Sequence, residues 1–153
     1  MTFLENKIPP PLVALIIASG MWWLSTFTTT VLLTSDVKFT LMSVFIAIAI
    51  FFELSGLLSF RLARTTINPL KPERTSTLVT SGIYQFTRNP MYVGLAALLF
   101  AWTSYLASVW GISLIVVYVA YIQRFQIVPE ERALTTLFEN EFIAYKNKVR
   151  AWL

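Results

Sequence analysis

Residues 91–122 read MYVGLAALLFAWTSYLASVWGISLIVVYVAYI, a run of 32 residues without one charge. A helix crosses the hydrocarbon of a bilayer in about 20 apolar residues, so this run is too long for one comfortable span. Its middle, Ser104-Tyr105-Leu106-Ala107-Ser108-Val109-Trp110-Gly111, offers a turn flanked by aromatics suited to a membrane–water boundary. The run therefore reads as a tight helical hairpin, residues 90–107 and 109–126, each arm near the short limit for a span. Two further runs precede it. Residues 12–33 carry no charge, and residues 39–60 carry only Glu53. Each has 22 residues and matches one crossing. The expected fold is all-α: one integral membrane domain over residues 1–153, with about four transmembrane helices.

Composition agrees. The chain is 56% hydrophobic and 13% charged, against about 25% charged in ordinary soluble domains. Its mean hydropathy is +0.66. It has no cysteine and no histidine. That excludes disulfides, thiol chemistry, histidine-based triads and nearly all zinc catalysis, and no metal is expected. The first apolar run is too long for a secretory signal and lacks a small-residue cleavage site.

Four spans put both termini on one side. On that side fall Lys7, then Arg61, Arg64, Lys71, Arg74 and Arg88, then Arg124, Arg132, Lys146, Lys148 and Arg150. Eleven of the twelve Lys and Arg residues thus share a face, with Lys38 alone opposite. The positive-inside rule assigns that face, and both termini, to the cytoplasm. The net charge of +4 reports topology and lipid headgroups, since no nucleic-acid motif accompanies it. Residues 61–89 form a cytosolic loop. Residues 129–152 open with Pro129-Glu130-Glu131, a proline and two acids suited to a helix's first turn. Leu134, Leu137, Phe138, Phe142, Tyr145 and Val149 then recur three or four apart, the pattern of an amphipathic cytosolic helix.

Polar groups gather at the cytosolic ends of the spans in three clusters. Gly82 to Gly94 reads either as a simple helix start, with Asn89 as N-cap, Pro90 in the first turn and Arg88 reaching lipid phosphates, or as a pocket wall. As a pocket wall, its glycines admit close approach and its helix N-terminus offers free N–H donors. Arg124 with Glu130, Glu131 and Arg132 reads either as a solvated, self-paired helix start or as a polar rim for a zwitterion. Glu53 inside an apolar span is either structural, paired with Arg61 or another arginine or held as a protonated carboxyl, or chemical. No G-x-G-x-x-G, P-loop, H-E-x-x-H or G-x-S-x-G signature occurs.

Leu78-Val79-Thr80-Ser81-Gly82-Ile83-Tyr84, Thr87-Arg88-Asn89-Pro90-Met91-Tyr92-Val93-Gly94, and Pro129-Glu130-Glu131 with a helix ending Ala144-Tyr145-Lys146 resemble the isoprenylcysteine carboxyl methyltransferase and phospholipid methyltransferase superfamily. Arg64 to Pro69 resembles its bacterial members. Asn89 stands where many members have histidine, Glu139 replaces a glycine, and Phe142 replaces a tyrosine. The resemblance implies an S-adenosyl-L-methionine-dependent enzyme of the bacterial inner membrane. Its acceptor is lipophilic: a carboxylate of an isoprenoid-like or other hydrophobic small molecule, or a lipid amine. It implies cofactor contacts from Leu78, Val79, Gly82, Tyr84, Asn89, Tyr92 and Glu130, and catalytic roles for Arg88, Glu131 and Arg124; Glu53, outside these motifs, is a catalytic candidate because it is ionisable within an apolar span. The competing reading is a non-enzymatic four-span scaffold or lipid-binding subunit, which has no need for both motifs together.

Overall fold

The computed structural model describes residues 5–63 and 77–153. The bacterial-type stretch from Arg64 to Pro69, with Lys71 and Arg74, lies outside them. Among the described residues five helices follow in order: α1 (Pro10–Ser25), α2 (Ser35–Leu62), α3 (Pro90–Leu106), α4 (Trp110–Ile122) and α5 (Val128–Lys148). A short 3-10 turn, Gly82–Gln85, precedes α3, and a π-turn, Gln123–Ile127, joins α4 to α5. The described residues contain no strand.

α3 is the central helix. Its Tyr92 and Leu99 meet Val13, Ala14 and Met21 of α1 and Ile115, Tyr118 and Ile122 of α4 in one core. On its other side Val93 joins Phe52 of α2 and Val79, Ile83 and Tyr84 of the loop in a second. The buried residues of α2, namely Ala49, Phe52, Gly56 and Ser59, recur three or four apart and make one stripe against α3. The rest of the bundle shows apolar side chains outward, Leu15, Ile16, Trp22, Trp23, Leu54, Leu58, Val116 and Val117 among them. Water penalises such a surface; lipid does not.

The second apolar run forms the longer helix, 28 residues, started by Thr34, whose Oγ1 accepts from Val37 N–H at 3.5 Å. The first run does not stay helical to residue 33. α1 has 16 residues and ends at Ser25, where Ser25, Thr26 and Thr28 hydroxyls donate to the Trp22, Trp23 and Leu24 carbonyls. Clustered hydroxyls that bond the preceding turn compete with the helix ladder. The chain then leaves as an irregular segment, and Val31 N–H donates to Ala107 O at 2.8 Å. The hairpin is as expected: α3 ends at Leu106, and Ala107 turns the chain in the left-handed conformation at φ 49°. Close packing of α3 on α4 requires Gly111, because a Cβ there would lie 2.5 Å from Thr103 Oγ1.

The break expected between residues 126 and 129 is absent. The helix that starts at Trp110 runs through the π-turn into α5 without a break. It and α2 are long and apolar enough to cross a membrane, while α1 and α3 are shorter apolar helices. The apolar part of the long helix ends at Ile127, and α5 beyond it is rich in charge. α5 also ends earlier than residue 152. It kinks at Glu139 (φ 41°, ψ −117°), stops at Lys148, and continues as an extended tail from Val149.

Candidate functional site

The loop before α3 and the start of α5 are brought together at one end of the bundle. Tyr92 OH donates to Glu130 Oε1 at 2.5 Å. Arg88 Nη2 pairs with Glu131 Oε1, and Lys146 Nζ pairs with Glu131 Oε2. Tyr145 OH donates to the Tyr84 carbonyl at 2.6 Å, tying the far half of α5 to the 3-10 turn.

Local structure explains these positions. Gly82 opens the 3-10 turn with φ +62°, and a Cβ there would lie 2.8 Å from Ser59 Oγ, so this turn needs a glycine to lie against α2. The turn buries Ile83 and Tyr84, with Val79 beside them, while Leu78 is half-buried. Pro90 starts α3, as its fixed φ favours. Asn89 occupies the N-cap position, but its side chain caps nothing. Its Nδ2 donates instead to Ala151 O at 2.9 Å, beside Thr87 Oγ1 to the same oxygen at 3.0 Å and Arg88 N–H to Arg150 O at 2.9 Å. The tail after α5 thus straps the 87–89 loop. Arg88 Nη1 also donates to the Val149 and Lys146 carbonyls. Trp152 holds the strap down by packing on both cores and donating Nε1–H to Gln123 Oε1 at 2.9 Å.

Two adjacent carboxyls acquire opposite electrostatics. Desolvation pushes Glu130 up to about 8; the hydrogen bond from Tyr92 opposes this and the charge of Glu131 adds to it. Desolvation also acts on Glu131, but the bonds from Lys146 and Arg88 outweigh it and hold its pKa below the ordinary value. Burial raises Tyr84 and Tyr145, so both stay neutral phenols. Arg88 Nε is buried and has no hydrogen-bond partner among the described residues. It is a spare donor beside the two carboxyls.

Glu53 lies half-buried in α2 against α3, where a Cβ on Gly94 would sit 2.9 Å from its Oε1. Among the described residues it forms no ion pair, and Arg61 is exposed. Arg124 is not brought to the cluster. It pairs with Glu5 at 2.8 Å, and Glu5 also holds Arg132 at 2.5 Å. Sequence reasoning placed Arg124 beside Glu130 because they are close in the chain. It missed Glu5, which competes for that arginine from the far end of the chain and carries no motif. Lys146, Tyr145 and the 149–152 strap also belong to the constellation. The first two stood within the family pattern, whereas nothing in the sequence marked the strap.

A protein of Haemophilus influenzae described as uncharacterized is 38% identical over 63 residues, covering 41% of this chain and 100% of that protein. No solved structure matches the chain. The model of the phospholipid methyltransferase family matches residues 37–141, from the start of α2 through the kink in α5, and so includes Arg88, Tyr92, Glu130 and Glu131. The chain belongs to the phospholipid methyltransferase family.

Proposed function

We propose that this protein is an integral membrane methyltransferase that uses S-adenosyl-L-methionine to methylate a lipophilic acceptor at the cytosolic face of a bacterial inner membrane. The observation that carries this reading is the closure of the loop before α3 on the start of α5 through Tyr92–Glu130 and Arg88–Glu131. Four helices cross the bilayer in this reading, with both termini cytosolic. The likeness to the Haemophilus influenzae protein supports a bacterial setting.

The donor set fits the cofactor. Arg88 Nε is a buried N–H lacking a partner, suited to the carboxylate of an amino acid. Glu130 offers a carboxyl suited to ribose hydroxyls or an ammonium group. When bound, the cofactor supplies a methyl group already activated on a sulfonium, and the protein's task is alignment. Burial excludes water from that alignment. Glu131 stays ionised and holds Arg88 and Lys146 in place, which makes it a poor base. An acceptor amine must lose a proton before it attacks. Glu53 is the carboxylate left for that role, on the membrane side of the site. A carboxylate acceptor needs no base; an arginine such as Arg88 would position it, and Glu53 then has no chemical part.

The test has two steps. S-Adenosylhomocysteine should raise the melting temperature of the purified protein in detergent, and no shift at millimolar ligand with folded protein would defeat the cofactor assignment. Labelled S-adenosylmethionine, incubated with extracted bacterial lipids and with isoprenoid acids, should then deliver label to one class and so name the acceptor.

A further inference from the structure

The π-turn Gln123–Ile127 stands directly before Pro129 in an otherwise continuous helix. Proline has no N–H, so the Phe125 carbonyl four residues back lacks its α-helical donor. That donor comes from outside the helix: Asn6 N–H reaches Phe125 O at 3.0 Å. Gln126 Nε2 donates in turn to Ile8 O at 2.7 Å. Glu5, with a side chain only 12% exposed, accepts from Arg124 in the π-turn at 2.8 Å and from Arg132 in the first turns of α5 at 2.5 Å. One carboxylate therefore spans the discontinuity. Asn6 holds φ 54°, a left-handed conformation that asparagine tolerates better than most residues.

A π-turn adds one residue to the winding and turns every later side chain by about 100° relative to an unbroken α-helix. Glu130 follows directly, so the face it occupies depends on the π-turn being kept. We propose that residues 5–8 are a splint across this turn, and that Glu5 and Asn6 are positioning residues that set Glu130 against Tyr92. Neither residue need touch a ligand. The link from Glu130 to turnover rests on the function proposed above; the positioning itself does not.

The experiment reads Glu130 directly. Glutamate labelled with 13C at the carboxyl is followed by NMR across pH in detergent, the Glu130 signal being assigned by its loss in Glu130→Gln. The groups facing Glu130 are Tyr92 on α3, Tyr84 on the 3-10 turn and Glu131 on its own helix. Glu5→Lys breaks both ion pairs, and Asn6→Val disfavours the left-handed backbone. In each, the Glu130 midpoint should fall by about 1 unit or more as the carboxyl leaves its buried partner. Asn6→Gly, which keeps both N–H and φ, should retain the wild-type midpoint. Glu5→Lys combined with Arg124→Glu and Arg132→Glu should recover it. Unchanged midpoints in both disrupting variants overturn the splint. If either fails to fold, Gln126→Leu, which removes only the Ile8 bond, decides by the same midpoint. S-Adenosylhomocysteine affinity is measured on the same samples. A wild-type protein that binds none, while the midpoints shift as stated, defeats the cofactor assignment and leaves the splint standing.

Discussion

Glu130 and Glu131 are neighbours in the chain with opposite proton affinities, and that contrast gives two predictions. The Glu130 pKa is raised from 4.5 to about 8, so the folded protein binds a proton there that the unfolded chain releases. Its contribution to stability is complete below about pH 4.5 and is lost as pH rises through about 8. The melting temperature should therefore decline over that window, and Glu130→Gln, neutral throughout, should flatten the decline. Glu130→Ala should also weaken S-adenosylhomocysteine binding by about tenfold or more, which calorimetric titration would read as about 1.4 kcal/mol. The second residue of note is Glu139. The family pattern has glycine there, and the backbone still adopts a glycine-like φ of 41°. A non-glycine residue held so costs of order 1–3 kcal/mol. Glu139→Gly should raise the melting temperature, and an unchanged or lower value would mean that the kink is unstrained. The departure from the pattern was legible in the sequence; its backbone consequence was not, since φ at one residue depends on how both flanking helical pieces are anchored.

Helices in this chain are set by where hydroxyls, prolines and glycines fall. The α3–α4 hairpin could be read from a charge-free run with a turn at its centre, and the structure turns at Ala107. The end of α1 could not, because hydropathy alone does not register that Ser25, Thr26 and Thr28 compete for the last carbonyls. Pro129 was a fair sign of a helix start, yet the helix continues through it, with Asn6 N–H bonded to the Phe125 carbonyl that the proline cannot serve. The packing of α3 on α4 offers a quantitative check. In Gly111→Ala the new Cβ would meet Thr103 Oγ1 at 2.5 Å and Thr103 Cγ2 at 2.9 Å. Overpacking of this kind typically costs about 1–3 kcal/mol. Gly111→Ala should lower the melting temperature, and adding Thr103→Ala should recover part of the loss. Full stability of the single variant would show that the hairpin can separate without cost.

At the scale of the whole molecule the question is which ends of the helices face the cytosol. The absence of cysteine allows single cysteines to be introduced and labelled without background. In the proposed inner-membrane topology, cysteines replacing Lys7 and Lys148 should react with a membrane-impermeant maleimide only after the membrane is opened, and one replacing Lys38 should react in intact spheroplasts. Reaction of all three from one side would refute the four-span topology. The apolar runs, the bias of basic residues and the two polar motifs were all determined by the sequence alone. Each depends on composition or on spacing within one stretch of chain, and no folding is needed to count them. Only the tertiary structure decided that Glu131 takes Arg88 and Lys146, that Glu5 removes Arg124 from the site, and that a C-terminal strap occupies the Asn89 side chain. Those pairings join residues far apart in the chain, and which carboxylate meets which cation is settled by how the helices pack, not by any local pattern.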